Sequence, residues 1–279
     1  MISVCVSNNN AFAYLFWRWV FRKFDGIVCW LDQFYFGSTR GLNDYDNFAR
    51  KYTKSNIKPD KRHSILPTVL NMVGDCEGKS IIDLGCGSGF FTLELAQSGA
   101  LSVLGVDNST AQINLARKNS TNPNTSYCVG DIFTQYSGIP VDIITAPFVV
   151  NYARTVPILK HFLTLIFKSL KEGGKAILVI DLPNGKNLKR FGAIKTLHGK
   201  CVDETRISID LFNDNERICT LTGIYYTPET VERLLLDVGF HRVTWCKPVI
   251  TKEGLNKYGS KFWEGYIQDP ELGYVTAYK

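Results

Sequence analysis

The stretch Ser80-Ile81-Ile82-Asp83-Leu84-Gly85-Cys86-Gly87-Ser88-Gly89-Phe90-Phe91-Thr92 decides how the chain is read. It opens as a short apolar run that ends on a carboxylate, passes through glycines at alternate positions and continues in a helix-like pattern. A buried strand, a tight turn and a helix N-terminus account for its three parts. Gly85, Gly87 and Gly89 let the backbone turn sharply and leave room for a ligand, because glycine tolerates positive φ and carries no Cβ. The helix that begins near Phe90 aims unpaired N–H groups into the turn. A dinucleotide fingerprint, G-x-G-x-x-G, would need a further glycine at position 90, where this chain has Phe90.

Similar units follow in order. Leu101–Asp107 reads as a second strand ending in an acid. Thr125–Ile132 reads as a third strand closed by Asp131, and Val141–Ala146 as a fourth that runs into Pro147-Phe148. A single acid at a strand end is usually a cap or turn residue, but acids ending three successive strands form a pattern. Helices are expected over 63–73, 90–98, 109–119 and 155–171. Ser109 and Gln112 make a capping-box pattern, and Pro157 lies in a first turn. Lys175–Ile180 is a fifth strand that ends at Asp181. This alternation predicts an α/β fold, a doubly wound sheet with helices on both faces and ligands at the carboxyl ends of the strands.

The alternation breaks over 181–226. Arg206–Phe212 and Arg217–Tyr226 are expected to form a two-stranded antiparallel cap joined at Asn213-Asp214-Asn215. Thr227-Pro228 then starts a helix that Gly239 closes. Phe240–Lys247 and Tyr274–Tyr278 are expected as an antiparallel hairpin at the sheet edge.

Composition bounds the reading. At 279 residues, 45% hydrophobic and 21% charged, the chain fits one large domain with a cap. Its net charge of +6 is scattered, and small clusters such as 186–190 read as solvated faces, so no nucleic acid is expected. The cysteines form no C-x-x-C pair and the four histidines stand far apart, so reduced thiols, a cytoplasmic setting and no metal are expected. Residues 1–40 are an aromatic-rich extension containing Trp17, Trp19 and Trp30. Arg18, Arg22 and Lys23 interrupt it, so no run reaches the ~18 residues of a spanning helix. It reads as a helix packed on the domain or pairing subunits, or as an amphipathic segment at a membrane surface.

From Tyr45 onward the chain resembles the class I methyltransferases that use S-adenosylmethionine. The resemblance rests on the Asp-x-Gly-x-Gly-x-Gly turn, the ordered strand-end acids and the Tyr45/Phe48/Ala49/Tyr52 helix face ahead of them. It implies a Rossmann-like sheet of seven strands over 41–279. Val149–Arg154, the insertion after the fifth strand and Phe262-Trp263-Glu264 with Asp269-Pro270 further suggest the toxoflavin-synthase-like branch, which methylates nitrogen on small heterocycles.

The resemblance also implies a set of roles. Asp83, Gly85, Cys86 and Gly87 would meet the methionine end of the cofactor. Asp107 and Asn108 would hold the ribose, Asp131 and Ile132 the adenine. Pro147 and Phe148 would line the pocket near the methyl, and Tyr45 and Tyr52 would close over it. Asn151 and Tyr152 would orient the acceptor or take its proton. Trp263, Tyr226 and Phe262 would be either an aromatic wall or plain core. A monomer or homodimer is expected. A protein or RNA acceptor, or binding without turnover, are the other readings. An Asn/Asp-Pro-Pro-Tyr/Phe tetrad is absent, since Ala146-Pro147-Phe148-Val149 stands there.

Overall fold

The structure, a computed structural model, describes residues 43, 45, 54–134, 139–183, 189–213 and 216–279. The expected extension over 1–40, Tyr52, most of the 186–190 cluster and the turn residues Asp214 and Asn215 lie outside the described residues.

Short apolar segments bounded by turns become the strands β1 (Ser80–Leu84), β2 (Ser102–Asp107), β3 (Thr125–Val129), β4 (Val141–Pro147) and β5 (Leu170–Asp181). They pair in parallel in the order β3-β2-β1-β4-β5. Successive residues of β5 serve opposite faces. Leu178 and Ile180 enter one core cluster, and Ile177 and Val179 the other, as the two-residue period of a strand requires.

Helix α1 (Leu66–Val73), reached through a π-helical turn over Lys61–Ile65, and α2 (Phe90–Gln97) cover one face with Val69, Val73, Phe91 and Leu95. Helix α3 (Thr110–Asn119) follows β2. On the other face lies α4 (Val156–Ser169), whose Leu159, Phe162, Leu163 and Ile166 recur at helical spacing and are buried. The Thr155 hydroxyl caps α4 by accepting from Ile158 N–H.

The insertion is larger than a hairpin. It is a three-stranded antiparallel sheet of β6 (Ala193–Leu197), β7 (Thr205–Asn213) and β8 (Glu216–Tyr225), in the order β6-β7-β8. The sequence reading missed β6 because Ala193-Ile194-Lys195-Thr196-Leu197 places a lysine among its apolar residues. That lysine is itself buried, against an aspartate. Ile207, Ile209, Leu211 and Leu221 of the cap join the core cluster that contains α4.

Helix α5 (Pro228–Asp237), capped by Thr227, leads into β9 (Arg242–Cys246). The chain then makes two short helices, α6 (Lys252–Tyr258) and α7 (Ser260–Trp263), before β10 (Leu272–Tyr278). β10 inserts between β5 and β9 and pairs antiparallel with both, so β9 rather than β10 is the edge strand. Among the described residues, no helix is long and apolar enough to cross a membrane.

Candidate active site

The three glycines of the turn have different reasons to be glycine. All have positive φ: +68° at Gly85, +54° at Gly87 and +84° at Gly89. A Cβ on Gly85 would lie 2.6 Å from Val149 Cγ2, and one on Gly89 would lie 2.7 Å from Tyr127 Oη. Packing of the protein on itself therefore excludes side chains at both. At Gly87 the nearest atom, Gln112 Oε1, is 3.8 Å away. That position alone leaves its open side to a ligand.

The acids around the turn divide in the same way. Asp83 is fully buried, and its two oxygens accept hydroxyls from Thr92 at 2.7 Å and Thr145 at 2.8 Å. Burial raises its pKa to about 6, although both hydroxyls pull it back down. Asp83 thus ties β1 to α2 and β4 from beneath the turn. Asp107 closes β2 and accepts from Gly87 N–H at 2.8 Å and Ser109 N–H at 2.9 Å. It holds the turn's open glycine from the end of β2. Cys86 is buried, and burial pushes its thiol well above the ordinary range. Asn108 is exposed beside Asp107. Asp131 lies two residues past the end of β3, not in it, and accepts from Phe133 N–H at 3.0 Å, while Ile132 packs on the main core.

The expected capping box is only half made. Gln112 N–H donates to Ser109 Oγ, but the Ser109 N–H goes to Asp107. The Gln112 side chain is 1% exposed, and neither its Oε1 nor its Nε2 has a partner. A buried carboxamide left without partners beside the open glycine suits a polar ligand that supplies them. This donor and acceptor set fits S-adenosylmethionine, with Asp107 suited to its ribose hydroxyls.

Lys61 is a member of the site that the motifs missed. Its ammonium stands 5.2 Å from the ring centre of Phe90 and 5.4 Å from those of Phe91 and Phe148. The residue is buried, and no ion pair to it occurs among the described residues. Desolvation, then repulsion from Lys58, lowers its pKa to about 8; Asp60 and Asp83 pull the other way. A cation between the start of α2 and the end of β4 suits the cofactor's carboxylate. In sequence it sits in Lys58-Pro59-Asp60-Lys61, whose three charged residues are all buried.

At the end of β4, Pro147 is buried and Phe148 has φ +65°, a left-handed conformation that costs a non-glycine residue about 1–2 kcal/mol. Its N–H donates to Val179 at 2.7 Å, and its ring faces a cavity of about 900 Å³ measured to the open mouth. Tyr152 lines the same cavity, and its hydroxyl hydrogen-bonds that of Tyr45. Two of the three expected site tyrosines are therefore together, and the third, Tyr52, lies outside the described residues. Asn43, just ahead, clasps Thr222 of the cap with both amide atoms, at 2.8 and 2.9 Å.

Asn151 is not in the lining of this cavity. It donates to the carbonyls of Asp181 and Ile224 and accepts from Asp181 N–H, stapling the end of β5 to β8. Tyr226 and Trp263 are core: the first donates to Ala153 C=O, the second to Gly254 C=O. Phe191 lines the cavity instead, backed by Trp263 and Phe262.

The cavity wall is charged. Lys195 pairs with Asp181 at 2.9 Å, both nearly fully buried, and also donates to the Glu271 carbonyl. Lys58 donates to Gly192 C=O at 3.1 Å and stands 3.8 Å from Asp60. No cluster of groups able to hold a metal occurs among the described residues.

Comparison with known proteins agrees with this geometry. The chain is 28% identical over 159 residues to an uncharacterized protein of Haemophilus influenzae, an alignment covering 50% of this chain and 58% of that protein. It is 24% identical over 209 residues to the ubiquinone biosynthesis O-methyltransferase of Acinetobacter baylyi, covering 67% of this chain and 85% of the relative. Among solved structures, an S-adenosylmethionine-dependent methyltransferase from Mesorhizobium loti superposes with a TM-score of 0.56 at 17% identity, covering 81% of this chain and all of that one. The toxoflavin-synthase-like branch finds no support among these relatives beyond the shared superfamily. The profile of the methyltransferase domain matches residues 75–233, more than half of the chain, and the protein belongs to that family.

Proposed function

We propose that the protein transfers the methyl group of S-adenosylmethionine to a flat small-molecule acceptor, at a ring or exocyclic nitrogen, bound in the cavity beneath the cap. The observation that carries this reading is the junction at Phe148 and Tyr152. There the end of β4, next to the glycine turn, becomes the wall of a cavity lined by Phe148, Tyr152, Phe191 and residues of the cap sheet. The cap sheet closes over that cavity, an arrangement that suits a small guest better than a polymer.

S-adenosylmethionine, when bound, supplies a methyl already activated on a sulfonium. The chain's residues then have positioning to do. Gly87, Asp107 and Gln112 hold the polar middle of the cofactor, and Lys61 its carboxylate. Asp131 and Ile132 flank the adenine. Phe148 and Phe191 hold a planar acceptor, and the Tyr152–Tyr45 pair orients it and excludes water. Aligning the acceptor nitrogen roughly 3 Å behind the methyl supplies much of the rate. Tyr152, hydrogen-bonded to Tyr45 and lining the cavity, would relay any proton lost by the acceptor nitrogen toward the mouth. Asn151 fixes the cap over this arrangement.

The test is calorimetric titration with S-adenosylmethionine and S-adenosylhomocysteine, followed by a screen of small nitrogen heterocycles for transfer of labelled methyl. Micromolar binding and labelled product are expected. Binding with no labelled small molecule, but label in added protein or RNA, would replace the acceptor class. No binding by a folded sample would remove the cofactor assignment.

A further inference from the structure

We infer that the part of the cavity beside the π-helical turn is a subsite for an uncharged donor–acceptor edge of the guest, a carboxamide or a ring lactam, held by Asp60 and Tyr274. This inference rests on the small-molecule reading above and names what the guest must carry. Among the described residues, Asp60 Oδ1, Ser64 Oγ and Tyr274 Oη have no hydrogen-bond partner. All three residues are buried, at 6%, 0% and 1% exposure. Asp60 and Tyr274 line the cavity, and Tyr266 lines it with them. Unmatched buried polar atoms are rare, and each costs stability unless something arrives to pair with it.

The three atoms belong to one cluster. Tyr266 approaches both hydroxyls, and the charge of Asp60 acts on Tyr266 and Tyr274 alike, yet no hydrogen bond closes onto Ser64 Oγ or Tyr274 Oη. Burial first, and then the neighbouring groups, holds both phenols far above their ordinary range, so each keeps a proton to donate. Asp60 precedes the π-helical turn over Lys61–Ile65, where an aspartate ordinarily caps with its side chain, but this one caps nothing. Turns of that kind are rare and recur at functional sites.

Charge is not what the cluster lacks. Lys58 stands 3.8 Å from Asp60 Oδ2, and Lys61, the next residue, also feels that carboxylate. Oδ1 lacks a hydrogen-bond donor, and the Tyr274 hydroxyl lacks an acceptor. An N–H beside a carbonyl supplies both at once. With the rings of Phe148 and Phe191 in the same lining, a flat amide or lactam fits. A hydrocarbon ring would leave both atoms unmatched. An uncharged guest also keeps the nitrogen lone pair that must attack the methyl.

The test uses the full chain saturated with S-adenosylhomocysteine and two uncharged planar probes of one size. Benzamide has N–H groups beside its carbonyl, and acetophenone has a methyl there. Each is titrated calorimetrically. Benzamide is expected to bind at least tenfold tighter than acetophenone. Tyr274→Phe should weaken benzamide at least fivefold and leave the melting temperature of the free protein unchanged or higher, because the hydroxyl removed has no partner within it. Equal affinity for the two probes in the wild-type chain would overturn the inference, and so would unchanged benzamide binding in Tyr274→Phe. A lowered melting temperature in that variant would overturn it too, since the hydroxyl would then serve the fold. If acetophenone binds while benzamide does not, the cavity remains a small-molecule site and this inference falls. If neither binds, this inference falls, and the labelled-methyl screen above decides the small-molecule reading by itself.

Discussion

At the glycine turn, several partners lie close in sequence, although Asp83 also reaches Thr145 on β4, 62 residues away. Asp83 is bonded to Thr92 nine residues on, and Asp107 reaches back 20 residues to Gly87. In the acceptor cavity, Lys58 reaches Gly192 across 134 residues and Lys195 reaches Glu271 across 76. The two regions meet at Phe148, but the first is made by a strand, a turn and two helix starts. The second is made by segments from residues 55 to 274 that only the finished fold brings together. The first presents backbone and a few acids, which suits a cofactor of fixed shape. The second presents paired buried charges and aromatic faces, which suits discrimination among acceptors. Variants in one region should therefore leave the other's ligand largely alone.

The largest expected effect is on the cavity side. Lys195→Met leaves Asp181 charged and buried without its partner, which costs about 3–5 kcal/mol of stability. Urea denaturation should show that loss, and the double variant Lys195→Met/Asp181→Leu should recover most of it. Affinity for S-adenosylhomocysteine in the folded double variant should stay within about threefold of the original, because neither residue touches the turn.

Next comes Asp107→Ala. It removes the carboxylate that holds Gly87 N–H and the two charge-assisted bonds expected from the ribose, together about 3 kcal/mol of cofactor binding. Calorimetry should read a loss of roughly 100-fold, with melting temperature changed far less than in Lys195→Met. Unaltered affinity would mean that the acid serves only the turn.

The smallest effect belongs to Lys61, which stands where the two regions touch. Lys61→Met should weaken S-adenosylhomocysteine by about tenfold and leave 5′-methylthioadenosine, which lacks the amino-acid end, unaffected. The folded pKa of about 8 lies below the ordinary 10.5. Cofactor affinity should then be flat below pH 8 and decline above it, as the ammonium loses its proton. The same shift has an opposite effect on the free protein: the buried charge weighs against folding below about pH 8, and that cost fades between pH 8 and 10.5. A profile with no break near pH 8, or equal losses for both ligands, would place the carboxylate elsewhere.

What could be read in advance followed this division. The parallel strands, the turn and Asp107 were legible because each is a short-range pattern. The resemblance named Tyr45 and Tyr152 separately, as a lid residue and an acceptor-orienting residue; their hydrogen bond to each other is a product of the fold. Strand β6 was not legible, because a lysine in an apolar run looks exposed until its aspartate is found on another strand. Asn151 and Asp83 were read as ligand contacts because their residue types suit that role. Their hydrogen bonds to Asp181, Ile224, Thr92 and Thr145 give them a structural part, holding the elements together, that the sequence did not show. Phe191 and Tyr266 had no sequence signal as cavity walls, whereas Trp263 and Phe262, which did, stand one layer behind.

The sequence by itself determined the order of strands and helices, the place of the tight turn and the acid at the end of β2. Those depend on two- and 3.6-residue periods and on glycine's freedom at positive φ, which are properties of neighbouring residues. Only the tertiary structure decided which glycine faces a ligand, which buried charges are matched and where Lys61 and Asp60 point. Those depend on distances between segments far apart in the chain, because desolvation and pairing are set by what packs around a group, not by what adjoins it.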